Sequence, residues 1–124
     1  LEEPMSDERP ATMTVVPDVV SLVDVADDST VSRTVLKGEG ARLVLFSFDT
    51  GQELSEHTAA VPVLLQALDG LFEITADERT VDLRPGDVIH LGARLPHSVL
   101  AKEPGRLLLT MIDSRQLAAL KPTH

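Results

Sequence analysis

The sequence predicts an antiparallel all-β fold, a sandwich or a barrel, that ends in one short helix. Short apolar runs recur at nearly even spacing and are separated by glycine, proline and aspartate, which is typical of such folds. Several apolar side chains alternate with a period of two, as half-buried strands require; they are Phe72, Ile74, Val81 and Leu83. Helical periodicity begins only at residues 114–120, where Asp113 or Ser114 would cap the helix.

Turn signals divide the first half of the chain into strands. Residues 15–25 are rich in valine around Pro17, so we expect one or two edge strands that break at the proline. The sequence Lys-Gly-Glu-Gly at residues 37–40 predicts a hairpin turn between strands at 31–36 and 42–48.

A near-continuous apolar run at residues 61–68 predicts the next strand. It stops at Asp69-Gly70, which we interpret as a hairpin turn into a strand at residues 71–75. Four more strands complete the prediction, at residues 80–83, 88–91, 97–101 and 106–112.

Glycines mark the turns between these strands. Pro85-Gly86 fits the central pair of a type II turn, because proline presets the first φ and glycine accepts the positive φ of the second position. Gly51 and Gly70 are likewise predicted to be turn residues rather than ligand contacts.

Composition limits the possible functions. The chain of 124 residues predicts a flexible N-terminal arm at residues 1–10 and one domain at residues 11–124. A net charge of -9 and only three aromatic residues argue against binding to nucleic acid or to anionic membranes. There is no cysteine, so histidine and carboxylate are the strong metal ligands available. No apolar run reaches the roughly 20 residues of a membrane span, and the acidic start differs from a secretory signal, so a cytoplasmic location is expected.

Two histidines lie at fixed distances from glycines. Five residues separate Gly51 from His57, and ten separate Gly86 from His97, which follows Pro96. Together these segments resemble the two motifs of the cupin superfamily, small antiparallel β-barrels of the jelly-roll type that often hold a metal at the barrel centre. The resemblance covers roughly residues 31–112 and implies a cupin barrel.

The resemblance is incomplete at the ligand positions. Ala59 and Val63 stand where the first motif has its second histidine and its glutamate. In the second motif, a glycine, an arginine and an alanine replace the usual proline, glycine and asparagine; these residues are Gly92, Arg94 and Ala101. The resemblance therefore leaves only His57 and His97 as metal ligands. The site would hold Fe, Mn, Ni or Zn, or it would hold no metal.

The residues after His57 are predicted to form an apolar wall of the pocket. On one continuous strand, alternate side chains would share the face of His57; the predicted pocket comprises His57, Ala59, Val61, Val63, Leu65, Arg94 and His97. Arg94 would either clamp an anionic ligand or form a surface ion pair. His90 is expected on the opposite face, because its neighbours Ile89 and Leu91 are the better core residues. The alternative for the two pocket histidines is a structural role, satisfied by backbone carbonyl groups or by packing.

Two functions are compatible with this pattern. The first is a module that binds a small organic ligand in the barrel, with at most a weak two-histidine metal site. The alternative is a metal-dependent cupin enzyme, of the dioxygenase, isomerase or decarboxylase type, that uses His57 and His97 as ligands. A homodimer is expected in either case, because an exposed valine-rich edge at residues 15–25 would need covering.

Overall fold

A computed structural model of the chain describes residues 11–113. The predicted N-terminal arm at residues 1–10 and the predicted helix at residues 114–120 lie outside the described residues. Within the described range the chain forms nine strands: β1 (Thr30–Gly38), β2 (Ala41–Phe48), β3 (Glu53–His57), β4 (Val63–Asp69), β5 (Phe72–Ala76), β6 (Arg79–Leu83), β7 (Val88–Leu91), β8 (His97–Ala101) and β9 (Gly105–Ile112).

The strands form two antiparallel sheets. One has five strands in the order β1-β2-β9-β4-β7, and the other has four in the order β3-β8-β5-β6. The inner faces of both sheets contribute to one apolar core, as in other sheet-on-sheet folds. The predicted all-β antiparallel barrel is therefore confirmed.

The main core lies between the two sheets and is almost entirely aliphatic. Phe48 and Phe72 lie at its centre, fully buried, with ring centroids 5.3 Å apart in an edge-to-face arrangement. The other buried members within the described range are Val63, Leu65, Ala67, Ile74, Leu83, Leu91, Val99, Ala101, Leu107 and Leu109. Both sheets supply alternate residues, because successive side chains of a strand point to opposite faces.

The hairpin and turn predictions made from local signals are confirmed. β1 and β2 pair in an antiparallel hairpin around residues 37–40. At Pro85-Gly86, the amide of Asp87 donates to the carbonyl of Arg84 at 2.9 Å, and Gly86 has a φ of 98°. These features are those of a type II turn.

The strand prediction for residues 15–25 is wrong. This segment contains a short 3₁₀ helix at Val19–Leu22 and no strand. Its apolar side chains instead cover the outer face of the larger sheet, where a second, smaller core contains Val23, Leu45 and Leu108.

Side chains from the sheet hold this segment in place. Arg33, Ser47 and Arg106 donate to the backbone carbonyls of Leu22, Asp24 and Val23, at 3.0, 2.9 and 2.7 Å respectively. These three consecutive carbonyl groups are satisfied by side chains, so this part of the segment does not need strand hydrogen bonds. The expected homodimer stays a prediction, although the valine-rich strand that motivated it is absent.

The predicted hairpin at Asp69-Gly70 is also wrong. β4 and β5 belong to different sheets, so Gly70 carries the chain from one sheet to the other. Gly70 has a φ of 80°, and a Cβ atom built there would lie 2.7 Å from the Cα atom of Gly105. The two glycines therefore allow two backbone segments to approach closely.

We expect Gly105→Ala to destabilise the fold by about 1–3 kcal/mol. A methyl group at this position would overlap the carbonyl oxygen of Asp69 and would lie 2.8 Å from the Cα atom of Gly70. Both contacts are with backbone, which cannot move aside as a flexible side chain can. Urea unfolding should show the loss as a lower midpoint.

Gly92→Ala is the matched control. A Cβ atom at Gly92 meets nothing within 4 Å in the described part of the chain, and its φ is not positive. Its effect should stay within about 0.5 kcal/mol. Equal stabilities of the two variants would contradict the close approach of the two glycines.

Candidate functional site

Strand register places four residues in one row across the inner face of the smaller sheet. His57 is opposite His97, His97 is opposite Ala76, and Ala76 is opposite Arg79. Residues that are directly opposite in antiparallel strands project from the same face of the sheet. His97 is only 3% exposed, and it lies on the same face of β8 as the buried Val99 and Ala101, so this face is the inner one. We call these four residues, His57, His97, Ala76 and Arg79, the mouth row.

The next row towards the barrel centre is apolar throughout. Leu54, Val99, Ile74 and Val81 are opposite one another in the same strand order. Val99 and Ile74 are buried, and the other two are partly buried against the core. The polar groups of the mouth row therefore lie directly above an apolar floor.

A β-bulge brings His57 into this row. Leu54 is opposite Val99 and His57 is opposite His97, so three steps along β3 match two steps along β8. In a regular strand, Glu56 would be opposite His97 and His57 would point to the other face. Because of the additional residue in β3, the imidazole of His57 rather than the carboxylate of Glu56 lies beside His97 on the inner face.

The two imidazoles are adjacent, and each is held in one orientation. Their ring centroids are 4.3 Å apart at an interplanar angle of 60°. The Nδ1 atom of His57 lies 2.8 Å from the carbonyl oxygen of Ser55, and that of His97 lies 2.8 Å from the carbonyl oxygen of Leu95. A carbonyl oxygen only accepts, so each Nδ1 carries the hydrogen, and in the neutral ring Nε2 keeps a free lone pair.

The Nε2 atom of His97 is an acceptor without a partner. It is buried and makes no hydrogen bond within the described part of the chain. A buried polar atom without a partner is costly and uncommon. If His97 had only a structural role, its hydrogen bond to the backbone would explain the position of Nδ1, but it would not explain why Nε2 is buried without a partner.

The predicted apolar wall is only partly assembled. The expected continuous strand is wrong, because β3 ends at His57 and β4 begins at Val63 in the other sheet. Val63 and Leu65 are buried on the inner face of β4, and Ala59 packs against the same core. Val61 lies apart from them and lines a groove with other residues, among them Lys37, Arg42 and Met111.

Arg94 lies in the loop before His97 and takes the left-handed backbone conformation, with a φ of 66°. The resemblance places a glycine at this position, and a positive φ is the conformation that favours glycine. The Arg94 amide donates to the carbonyl oxygen of Ala59 at 2.7 Å, which ties this loop to the segment after β3. Its side chain is exposed, and across residues 11–113 it forms neither the surface ion pair nor any other ionic contact.

His90 lies on the outer face, as the sequence predicts. It is opposite Leu64 in β4, whereas the inner-facing Val63 and Leu65 are opposite Leu91 and Ile89. His90 is exposed, and it is one of the residues that line a cleft at this end of the barrel.

A cleft of about 180 Å³ opens beside the mouth row, and we call it the mouth cleft. Its lining includes Ile74, Ala76, Arg79, Val81, His90 and Leu95, whereas His57 and His97 lie next to it in the mouth row. Sequence reasoning missed Ala76 and Arg79 as site residues. Their signal was the short connection between the predicted strands at residues 71–75 and 80–83, whose two ends form a cross-strand pair. The register that links this pair to His97, however, joins strands distant in sequence.

The donor set does not fit the metal centre that the resemblance implies. No group of three or more histidine, aspartate, glutamate or cysteine side chains comes together among residues 11–113. The two further ligand positions hold Ala59 and Val63, which supply no donor atom. Iron, manganese and nickel sites generally use more than two protein ligands.

Comparison with known proteins identifies the fold. The structure is similar to a cupin superfamily protein from Desulfitobacterium hafniense, with a TM-score of 0.71 and 27% identity over 86% of this chain and 93% of that one. A conserved protein of unknown function from Streptococcus pyogenes is similar with a TM-score of 0.72 and 29% identity, over 97% and 98% of the two chains. An RmlC-like cupin from Desulfovibrio desulfuricans has a TM-score of 0.72 at 24% identity, over 81% of this chain and 97% of that one.

These similarities define the fold as a small antiparallel β-barrel. The chain has the cupin fold. No protein-family model and no curated protein matches it. Within the described residues, no helix has the length and apolar character needed to span a membrane.

Proposed function

We propose that the protein binds a small organic molecule at the barrel mouth, through a hydrogen bond from the ligand to Nε2 of His97. The observation that carries this proposal is the buried Nε2 lone pair without a partner within the described chain. A hydroxyl or N–H group of a ligand would satisfy it and remove the cost of leaving it unpaired. The apolar row beneath the mouth row would pack against the body of the ligand.

His57 would provide the second acceptor. His57 is exposed, its ring lies next to that of His97, and its Nδ1 likewise donates to a backbone carbonyl oxygen, which leaves Nε2 as an acceptor. A ligand that bears one donor group could therefore reach either Nε2 atom, and two donor groups could engage both. The pair fixes the orientation of the ligand, and the apolar floor provides contact area.

A metal-dependent enzyme is the second candidate, and one observation favours it. Histidines that bind metal usually donate their other ring N–H to a carbonyl or carboxylate, as both rings do here. Two imidazoles alone would hold a metal weakly, so we derive no catalytic step from it. Elemental analysis of protein purified without chelators or nickel resin separates the candidates, because a stoichiometric metal would favour the enzyme.

We expect His97→Leu to weaken binding of small hydroxylated compounds about tenfold. The test is an NMR titration with 4-hydroxybenzamide, a neutral probe with a hydroxyl donor, and circular dichroism checks the fold. Gln66→Leu is the control, because Gln66 alternates with the buried Leu65 and Ala67 along β4, so it lies on the outer face and its replacement should leave the affinity unchanged. Failure of the parent to bind at millimolar concentration, or equal affinity of parent and His97→Leu, would contradict the proposal.

A further inference from the structure

We infer that the ligand is a small organic anion whose carboxylate binds Arg79; this rests on the proposed function and adds a ligand class to it. Arg79 is the far member of the mouth row, on the same inner face as the two histidines. The mouth row thus has two imidazoles at one end and a guanidinium at the other, and the mouth cleft opens at the guanidinium end. A molecule with a donor group at one end and a carboxylate at the other matches this polarity.

The spacing across the row suits one small molecule. Neighbouring strands lie about 4.7–4.9 Å apart, so the backbones at His97 and Arg79 are roughly 10 Å apart. Ala76 lies between them and carries only a methyl group, which leaves room for a ligand above it. The mouth cleft is lined by Ala76 and Arg79 and has a volume of about 180 Å³. Pockets for drug-sized ligands have volumes of about 300 Å³ or more, and the mouth cleft is smaller, so we expect a ligand with few non-hydrogen atoms.

The charge of Arg79 has no partner within the described part of the chain. Its guanidinium makes neither an ion pair nor a hydrogen bond there, whereas Arg84 pairs with Asp82 at 3.3 Å and Arg106 with Asp69 at 2.7 Å. The planar guanidinium fork binds carboxylates with two parallel hydrogen bonds. Arg79 is therefore free to bind a carboxylate that enters the cleft.

Acidic groups near the cleft limit the charge of the ligand. Asp77 lines the mouth cleft together with Arg79, and Glu78 and Glu56 line the adjoining depression next to Pro96. These carboxylates repel an anion and compete for Arg79, so a single carboxylate is favoured over a phosphate with two charges. Removing the nearest repulsion should consequently strengthen binding.

The test compares two probes that differ in charge and little in shape, 4-hydroxybenzoate and 4-hydroxybenzamide. Arg79→Gln should weaken 4-hydroxybenzoate about tenfold or more and leave 4-hydroxybenzamide unchanged. Asp77→Asn should strengthen 4-hydroxybenzoate several-fold. Arg84→Gln is the matched control, because Arg84 ends the same hairpin and pairs with Asp82 outside the cleft.

Each outcome separates the anion assignment from the proposed function. Equal affinity of parent and Arg79→Gln for 4-hydroxybenzoate, with both probes weakened by His97→Leu, overturns the role of Arg79 and leaves the proposed function standing. Insensitivity of both probes to His97→Leu overturns the proposed function. If Arg79→Gln does not fold, Arg79→Lys, which keeps the charge without the fork, should still weaken 4-hydroxybenzoate and spare the amide.

Discussion

Phe48→Ala is expected to destabilise the protein by about 3–5 kcal/mol, a large part of the stability of a domain of this size. Phe48 is 0% exposed, and its ring makes an edge-to-face contact with Phe72, also 0% exposed. The other buried core members are aliphatic, and the neighbouring ring of Phe46, 6.0 Å from that of Phe48 between centroids, is only partly buried. The variant should therefore lose transfer free energy, the aromatic contact and packing around the cavity.

Urea unfolding followed by circular dichroism measures this loss. Phe46→Ala is the matched control, because Phe46 lies on the same face of β2, two residues before Phe48, but is only partly buried. Its cost should be distinctly smaller than that of Phe48→Ala. Equal costs for the two variants would show that the core is not centred on Phe48 and Phe72.

The parts of the fold that the sequence predicted correctly are those set by local chemistry. The alternation of Phe72 and Ile74, and the turn at Pro85-Gly86, depend on residues close in the chain, and the structure reproduces both. Strand alternation and turn type are properties of four to eight consecutive residues. They need no knowledge of which sheet a strand joins.

The errors arise where tertiary contacts decide. Residues 15–25 are apolar because they cover the outer face of the larger sheet, a demand that a strand or an irregular segment meets equally well. Asp69-Gly70 has the composition of a hairpin turn, but its positive φ serves a crossing between sheets beside Gly105. The hydrophobicity of a segment indicates that the segment is buried, but it does not indicate which strand the segment pairs with.

The candidate site shows the same division. The family resemblance pointed to His57 and His97, which the structure places side by side. The bulge that brings His57 to the inner face leaves no clear local signal in the sequence. Arg79 was missed because its link to His97 passes through two strand pairings, and register between distant strands is a property of the assembled sheet.

Ala59→His combined with Val63→Glu is expected to convert the barrel mouth into a metal site that stabilises the fold. Val63 is 1% exposed on the inner face of β4, and Ala59 is tied by its carbonyl to the loop that precedes His97. Both positions therefore lie at the end of the barrel that holds His57 and His97. With the two histidines already present, the double variant would offer the three imidazoles and one carboxylate that the family resemblance implies.

Without metal, this double variant should be less stable than the parent by roughly 3–5 kcal/mol, because it places an unpaired carboxyl group at a buried position and an imidazole at a partly buried one. A dication that binds only the folded state, at a hundred times its Kd, returns about 2.7 kcal/mol. Thermal unfolding with and without Mn, Fe, Ni or Zn should thus show a large metal-dependent rise for the double variant and a small one for the parent.

The control for this prediction introduces the same histidine and glutamate at neighbouring positions, one residue after Ala59 and two residues before Val63. Ala60→His with Val61→Glu adds an imidazole and a carboxylate to the same segment, but Ala60 is exposed and Val61 lines the separate groove beside Lys37. This variant should respond to metal no more than the parent does. A rise as large in the parent as in the double variant would mean that the protein already binds metal through other ligands. No rise in any of the three proteins would mean that Ala59 and Val63 do not face His57 and His97 closely enough to share an ion with them.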